Sequence, residues 1–480
     1  MKGVFNQMTV ELNKIKDFIV EWNNQNTNDF YNAAKEIWEN PELSMQEYKS
    51  SKLLIDLLKK NGFSVESGVA GMPTAFIASY GSGKPVIGIN AEYDALPGLS
   101  QDRNAVEKVP ITQGAPGHGC GHNLLGTGGV KAAIAIKNAI EKFNLPGTIR
   151  VLGTPAEELC LGKPFMGKAG CFEGYDAFLD WHPWSYTKTN YDSCQAYFSV
   201  KFHFKGKTSH GNSPWHGRSA LDAAILQGHA VEMMREHMYP GNPPDATNTI
   251  NYTFTTTGPE FPSVVPDYTT AWYIGRFTTT EDMLEALERV TKCAEAGALA
   301  TETVVEREIV TITHHKIPNK TLAECFRDNM LKVGVPNFTK EEQEIAKSIQ
   351  RAIGSPETGL PTELMPFEGG YTVLCDTSEF SWNAPYASPW IAMGMQDCGW
   401  HHWGVVRCAG DTMGQKSMDC AAQVISLTAI DLICNPDIMQ KAHNEWVERM
   451  NGRVYKSLLP EDMTPPVHLN EDVMEKYKEL

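Results

Sequence analysis

The sequence lacks the features that place a chain in or across a membrane. Its first thirty residues mix charged and apolar side chains, without the apolar block of a secretory signal. No stretch approaches 18 uncharged apolar residues, so we expect nothing to span a bilayer. A paired cysteine framework is also missing, because the 11 cysteines are an odd number scattered from Cys120 to Cys434. That usage suits a reducing compartment and predicts a cytoplasmic protein.

Excess positive charge is missing as well, together with internal repeats, low-complexity tracts and long charge runs. The chain has 42 Lys and Arg residues against 58 Asp and Glu residues, a formal net charge of −16. A surface that negative repels nucleic acid and anionic membranes, so we expect neither as a partner. The balance favours an enzyme that acts on a small molecule, but it does not select the substrate.

The chain is long and apolar enough for two domains. It has 480 residues, of which 42% are hydrophobic. Strand and helix patterns alternate in residues 1–194, which predicts an α/β domain with a central mixed sheet flanked by helices. Period-two alternation and a strand–helix–strand–strand–helix–strand order predict an inserted α+β domain over residues 195–314. Residues 315–480 return to helices and Gly-rich loops and complete the first domain.

Two short segments carry the residue types of a metal site. The segment "PGHGCGHN" holds His118, Cys120 and His122 just before a helix, and thiolate with imidazole favours Zn²⁺ or a similar ion. The alternative is a helix-start loop with a buried thiol. The segment "TPAEEL" holds Glu157 and Glu158. Burying both acids is costly without cations, and a metal ligand beside a general base would justify the pair, whereas a solvated acidic turn would need no metal.

Three more histidines follow apolar segments. The segment "DWHP" places His182 after a strand, and "GWHHW" contains His401 and His402. Each of these histidines alone is more often structural than a ligand. Taken together with the thiol and the acidic pair, however, the residues on four loops form a credible list of ligands for two metal ions.

Two residues of the inserted segment are candidates for substrate contacts. His210 follows a strand and precedes a helix; it is either an exposed loop histidine or a hydrogen-bond donor to the oxyanion of a tetrahedral intermediate. Arg276 ends a strand, and it is either a surface arginine or a clamp for a substrate carboxylate. The residue pattern alone slightly favours the surface arginine.

Several longer motifs occur in one order and at compatible spacing. They are "NPELSMQEYKSS", "AEYDALPGLS", "GHGCGHNLLGTG", "PAEE", "WHP", "SHGNSP…GRSALDA" and "PNKTLAE". With them the chain resembles the aminoacylase/carboxypeptidase family of co-catalytic metallopeptidases, and within it the B-type group of p-aminobenzoyl-glutamate hydrolase subunits. The resemblance runs from about residue 28 to residue 450.

The resemblance implies a role for each matching residue. It makes Glu157 the catalytic base and Asp94 an acid that stands beside the metals and supports their ligands. His210 becomes the lid histidine that reaches an active site, usually that of the partner subunit, and Arg276 the residue that binds the substrate carboxylate. Two divalent ions, Zn²⁺ or Mn²⁺, would be held by Cys120, His122, Glu158, His182 and His401.

Three departures from the family pattern bear on substrate selection. Ser263 stands where the family often has an asparagine, which suggests a different contact with the amino-acid half of the substrate. The loop between His210 and Arg218 is one residue shorter than in the resembled group. The loop before His401 is about three residues longer and adds Cys398 and Trp400 near the expected pocket.

The implied activity is metal-dependent hydrolysis of the amide bond of an N-acyl amino acid. An aromatic acyl-glutamate such as p-aminobenzoyl-glutamate is the favoured substrate, and a dipeptide or another N-acyl amino acid is the alternative. Two other hypotheses are a catalytically silent subunit and a thiol amidase with Cys120 as nucleophile. The resemblance further implies that the inserted domain is a lid and dimerisation domain. We expect a homodimer or a heteromer with a related subunit.

Overall fold

The computed structural model describes residues 2–242 and 244–478. Its strands, in chain order, are β1 Ser64–Ser67, β2 Phe76–Ser82, β3 Val86–Ala91, β4 Gly147–Gly153, β5 Ala177–Leu179, β6 His182–Trp184, β7 Ala196–Lys205, β8 Gly241–Asn242, β9 Ala246–Thr247, β10 Thr249–Thr256, β11 Tyr268–Phe277, β12 Val304–Thr313, β13 Tyr386–Ala387 and β14 Trp390–Ala392.

The helices are α1 Lys2–Gln25, α2 Thr27–Glu39, α3 Tyr48–Lys60, α4 His122–Phe143, α5 Gly162–Lys168, α6 Ala220–Met234, α7 Thr280–Thr301, α8 Lys320–Val333, α9 Lys340–Ala352, α10 Ser378–Ser381, α11 Trp403–Ala409, α12 Thr412–Cys434, α13 Pro436–Met450 and α14 Glu471–Glu475.

A six-stranded mixed sheet forms the centre of the larger part of the molecule. Its strand order is β1-β2-β4-β3-β5-β13. The neighbours of β3 and β5 run parallel, whereas β1, β2 and β4 pair antiparallel. Helices α3 and α4 pack against this sheet, and α12 packs against α4. The predicted α/β class with a central mixed sheet is therefore confirmed.

Close packing of α4 against β3 depends on two glycines. A Cβ atom at Gly126 would collide with the carbonyl oxygen of Glu92, and one at Gly129 with that of Asn90. Glycine at these positions lets the helix lie directly on the strand backbone. This contact holds the N-terminus of α4 close to the residues that follow β3.

A second sheet has four antiparallel strands in the order β10-β11-β7-β12. The inward face of β7 supplies Phe198, Val200, Phe202 and Phe204, all fully buried, and helices α6 and α7 pack on that face. The observed order of β7, α6, β10, β11, α7 and β12 confirms the predicted strand–helix–strand–strand–helix–strand arrangement. The domain boundaries at 194/195 and 314/315 stay a prediction.

Among the described residues, one helix, α12, passes the length and composition test for a membrane span. Within its most apolar window, 83% of the residues are buried inside the fold. It packs against α1, α4 and α8. The core helix of a globular fold passes the same test, so α12 is weak evidence for a membrane.

Candidate metal centre and active-site cleft

Three groups of predicted residues follow neighbouring strands of the central sheet. Asp94 follows β3, the pair Glu157 and Glu158 follows β4, and His182 follows β5. Because β3, β4 and β5 are parallel, their carboxyl ends meet at one edge of the sheet, where ligands bind in open α/β sheets. Residues before and at the start of α4 and the loop before α11 close on the same edge.

Two sets of ligand atoms converge there. Cys120, His122 and His182 offer three donor atoms that all lie within 4.8 Å of one another, and Cys120, Glu158 and His401 form a second such set. The Cys120 Sγ lies 3.5 Å from His182 Nε2, and His401 Nε2 lies 3.2 Å from Glu158 Oε2. Cys120 belongs to both sets, so the two sets lie side by side.

Hydrogen bonds to the other atoms of these side chains orient the atoms that could bind a metal. His122 Nδ1 lies 2.9 Å from Asp94 Oδ1, and His182 Nδ1 lies 2.7 Å from the carbonyl oxygen of Pro183, so the Nε2 atom of each ring is left for a metal. Asp94 Oδ2 also accepts the Glu158 N–H at 3.0 Å. The Nε2 of His122 and the Oε1 of Glu158 are buried without a hydrogen-bond partner. Buried polar atoms rarely stay unpaired, so a metal fits this site.

The electrostatics of the cluster also favour cations. Burial raises the pKa of Glu157 well above its ordinary value, and Glu92 adds to the shift. Burial raises the pKa of Glu158 to about 8 and that of the Cys120 thiol well above its usual range. Bound divalent ions reverse this preference for protonation, because their charge stabilises carboxylates and deprotonates thiols.

The backbone carries strain at the same place. Ala156 and Cys160, on either side of the Glu157–Leu159 turn, have φ angles of 56° and 52°, and His401 has a φ of 62°. Non-glycine residues rarely adopt this left-handed conformation, and functional sites concentrate such strain. The buried Glu47 carboxylate holds the turn by accepting the N–H of Ala156 at 2.8 Å.

The sequence inspection missed a buried charge network beneath the metal site. Glu92 Oε2 lies 3.5 Å from His122 Nε2, and its Oε1 lies 2.7 Å from the ammonium of Lys163, which also binds Asp376 at 2.6 Å. Burial opposes the charged form of Lys163, but Asp376, Glu92 and Glu157 raise its pKa well above its ordinary value. Glu92 could have been found, since it lies two residues before Asp94. Lys163 and Asp376 had no such signal.

A cleft of about 780 Å³ opens above the ligand cluster. Its wall contains Trp184, Trp390 and Trp400. The rings of Trp184 and Trp400 stack in parallel with centroids 4.5 Å apart, and Trp390 stands edge-on to Trp184 at 4.2 Å. The long loop before His401 therefore places Trp400 in the cleft wall. Cys398 lies buried behind it, with its Sγ 3.4 Å from His402 Nδ1.

The cleft lining also carries cations. Arg276 and Lys201 reach it from the four-stranded sheet, and Lys316 reaches it from the segment after β12. The guanidinium of Arg276 lies 5.7 Å from the centre of the Tyr197 ring. The structure therefore puts Arg276 in the cleft, although the residue pattern alone slightly favoured a surface arginine.

The C-terminal segment was also missed as a part of the site. Leu469 and Asn470 line the cleft. The side-chain amide of Gln46 donates to the carbonyl oxygens of Val467 and Leu469, both at 3.0 Å. The Asn470 amide donates to the Ser44 carbonyl oxygen. These bonds fasten the segment to the motif that precedes α3.

The structure does not bring every predicted residue to the cleft. In the described part of the chain, neither His210 nor Ser263 is among the residues that line it. They lie in two neighbouring loops, one after β7 and one before β11, where the Gly211 N–H donates to the Ser263 carbonyl oxygen at 2.7 Å. His402 caps α11 by accepting the Gly404 N–H, and His118 lies against the carbonyl oxygen of Ile37, with its pKa lowered by burial to about 3.

Comparisons with known proteins agree with this geometry. The model of Peptidase family M20/M25/M40 matches residues 88–449. The B-type subunit of the p-aminobenzoyl-glutamate hydrolase of Escherichia coli is 33% identical over 95% of this chain and 99% of its own. The Xaa-Arg dipeptidase of Mus musculus is 28% identical over 86% of this chain and 88% of its own.

A solved structure shares the fold. It is a dinuclear metal-binding peptidase of Bacillus subtilis, with a TM-score of 0.56 and 16% identity, and the likeness covers 85% of this chain and 98% of that one. The family match extends over most of the chain, and the resemblance seen in the sequence is confirmed. The protein therefore belongs to Peptidase family M20/M25/M40 and is a metal-dependent hydrolase.

Proposed function

We propose that the protein hydrolyses the amide bond of an aromatic N-acyl-glutamate such as p-aminobenzoyl-glutamate. The observation that carries this proposal is one cleft whose lining combines a metal-ligand cluster, three tryptophans and three cations. An aromatic acyl group fits the tryptophan wall, because aromatic rings gain from stacking and edge contacts. A carboxylate fits Arg276, whose fork of donors matches it.

The proposed ligands of the two ions are Cys120, His122, Glu158, His182 and His401. When bound, two divalent ions acidify a water molecule and polarise the scissile carbonyl. The single thiolate leans towards Zn²⁺, while the carboxylate and the imidazoles accept Mn²⁺ equally. We propose one of these two metals, with Asp94 fixing the ring of His122 and the backbone of Glu158.

Glu157 is the proposed general base. Its side chain lines the cleft and lies beside the ligand cluster, with Oε2 3.7 Å from His122 Nε2. In this role it takes a proton from the attacking water and passes it to the leaving amine. His210 is proposed to donate a hydrogen bond to the oxyanion of the tetrahedral intermediate.

In this proposal His210 and Ser263 act in the cleft of a second chain, because they do not line the cleft of their own chain. We infer that residues 195–314 form a lid and dimerisation domain. Large apolar side chains are exposed on it, as expected of an interface; they include Trp215, Met233, Phe261, Leu299 and Val304. The partner is a second copy or a related subunit, and the name of the Escherichia coli relative, a subunit, supports such an assembly.

Mixing two inactive variants tests the shared site. We expect Glu157→Gln and His210→Ala each to be inactive alone. After dissociation and reassociation at equal amounts, half of the dimers should be mixed, and each mixed dimer would contain one intact site of two. The mixture should therefore regain about a quarter of the wild-type activity. If His210 served the site of its own chain, mixing would restore nothing.

Metal removal tests the reaction itself. We expect chelation to abolish hydrolysis of benzoyl-glutamate by the purified single chain, and Zn²⁺ or Mn²⁺ to restore it. A thiol amidase with Cys120 as nucleophile would instead survive chelation and be lost on alkylation. A catalytically silent subunit would hydrolyse nothing with either metal until its partner was added.

A dipeptidase is the second candidate, because the mouse relative is named Xaa-Arg dipeptidase. The charges of the cleft decide between the two. Arg276, Lys201 and Lys316 repel a cationic leaving residue and attract an anionic one. A substrate panel should therefore rank acyl-glutamates above dipeptides that end in arginine. We also propose a cytoplasmic location, since all 11 cysteines are unpaired.

A further inference from the structure

A buried lysine lines the cleft outside the set of predicted site residues. Lys316 is only 6% exposed and reaches the cleft wall beside Tyr386 and Trp390. Its backbone N–H donates to the Cys194 carbonyl oxygen at 3.1 Å. This bond joins the two places where the chain enters and leaves the four-stranded sheet. The position of Lys316 is therefore fixed by its backbone, which leaves its ammonium free for another purpose.

The ammonium of Lys316 has no carboxylate partner within 4.0 Å among the described residues. The other strongly buried lysines, Lys16, Lys131 and Lys163, each pair with an aspartate. The centre of the Tyr386 ring lies 5.9 Å from the Lys316 ammonium. The Lys316 Nζ is not among the buried atoms that lack a hydrogen-bond partner, so the ammonium reaches the open cleft although most of the side chain is buried. A fold that keeps such a charge at the wall of its cleft points to an anion that arrives with the substrate.

Two acids that line a cavity together with Lys316 have other partners: Asp192 Oδ2 lies 2.9 Å from the Lys188 ammonium, and Asp180 is hydrogen-bonded. Asp180, which also lines the cleft, accepts the hydroxyl of Tyr386 at 2.9 Å and the amide of Asn90 at 3.2 Å. Arg276 has no carboxylate within 4.0 Å among the described residues either. The cleft thus holds two cations that lack a protein counter-ion. One substrate carboxylate satisfies only one of them.

We propose that Lys316 binds the second carboxylate of a dicarboxylic leaving amino acid, so that Arg276 and Lys316 together select glutamate or aspartate over neutral residues. This inference rests on the proposed hydrolase function and names the residue that determines its substrate class. Each carboxylate then has its own cation. A charged hydrogen bond in a partly desolvated cleft is stronger than one between neutral groups.

One buried group close to Lys316 competes for its charge. A hydrogen bond from the Cys375 thiol lowers the pKa of Cys194 to about 7, and Lys316 adds to this shift. A Cys194 thiolate is therefore the alternative counter-ion. The two possibilities predict different stabilities for Lys316→Met. The substitution removes an unpaired charge if Lys316 binds the substrate, and it breaks an ion pair if the Cys194 thiolate is the counter-ion.

The test compares hydrolysis of benzoyl-glutamate and benzoyl-glutamine, which have nearly the same shape and differ in one charge, by the metal-loaded enzyme. We expect the wild type to prefer glutamate by about 10- to 100-fold in kcat/KM. Lys316→Met should lose this preference through a raised KM for benzoyl-glutamate, and Lys316→Arg should keep most of it. Two controls should keep it in full: Lys320→Met, an exposed lysine four residues away, and Cys194→Ser.

Stability supplies the second readout. Lys316→Met should unfold at no lower temperature than the wild type, because methionine fills the same space and no ion pair is broken. A less stable or unfolded Lys316→Met chain would reveal a structural counter-ion and overturn the proposal, as would a glutamate preference that survives Lys316→Met or disappears in Cys194→Ser. Equal metal-dependent hydrolysis of both substrates would overturn the proposal and leave the hydrolase function standing. Hydrolysis of neither substrate would overturn both.

Discussion

Replacing Glu157 with glutamine is expected to lower kcat by about 10²- to 10⁴-fold, the usual contribution of a general base. Glutamine keeps the shape of the side chain but cannot take a proton from water. The bound metals should remain, because neither of the two sets of atoms that include Cys120 contains Glu157. Kinetics on benzoyl-glutamate and metal analysis of the same preparation would measure the two effects separately.

The neighbouring acid provides a matched comparison. Glu158 Oε2 lies 3.2 Å from His401 Nε2, so Glu158→Gln should lose metal and activity together. The exposed Glu173→Gln should change neither. Glu157 also lies in a third group of potential ligand atoms, with Glu92 and His122. If Glu157→Gln lost metal, Glu157 would be a ligand; if it kept the wild-type rate, it would not be the base.

The parts of the site that the sequence could predict lie where strands end. Parallel strands deliver the residues that follow them to one edge, so "EYDALP", "PAEEL" and "DWHP" had to meet once the sheet formed. The place where α4 begins could be predicted in the same way. A Gly-rich turn leads into this helix, and a helix that packs on the sheet begins at that edge. Local order along the chain also sufficed for the strand–helix pattern of the second sheet.

Side chains that meet only in the tertiary fold leave no recognisable pattern in the sequence. Lys163 and Asp376 are 213 residues apart and become partners only when α5 and the turn before α10 pack together. In the sequence, Lys316 looks like a surface lysine that follows a strand. Only its burial in the folded structure distinguishes it from one. The C-terminal residues Leu469 and Asn470 lie beyond the family match, which ends at residue 449.

The buried lysine beneath the metal site is expected to matter greatly for stability. Lys163→Met should lower the free energy of unfolding by about 3–5 kcal/mol, the usual result when one partner of a buried charge pair is removed. The reason is that Glu92 and Asp376, each at most 2% exposed, would lose their shared cation. Chemical denaturation of the metal-loaded protein would measure the change. The exposed Lys52→Met, which removes a surface pair with Asp56, should shift stability by at most about 1 kcal/mol.

The pH dependence of this loss has a definite sign. Burial raises the pKa of Asp376 to about 7 even though Lys163 lowers it, and without Lys163 that pKa must rise further. A carboxyl group whose pKa is higher in the folded state than in the unfolded state favours folding at low pH, and this advantage is lost as pH rises through the folded value. The deficit of Lys163→Met should therefore grow from about pH 6 to about pH 8, as the wild-type Asp376 ionises and the variant's does not. A deficit that stayed constant over this range would mean that the two carboxylates find another cation when Lys163 is gone, and the bound metals are the nearest candidates.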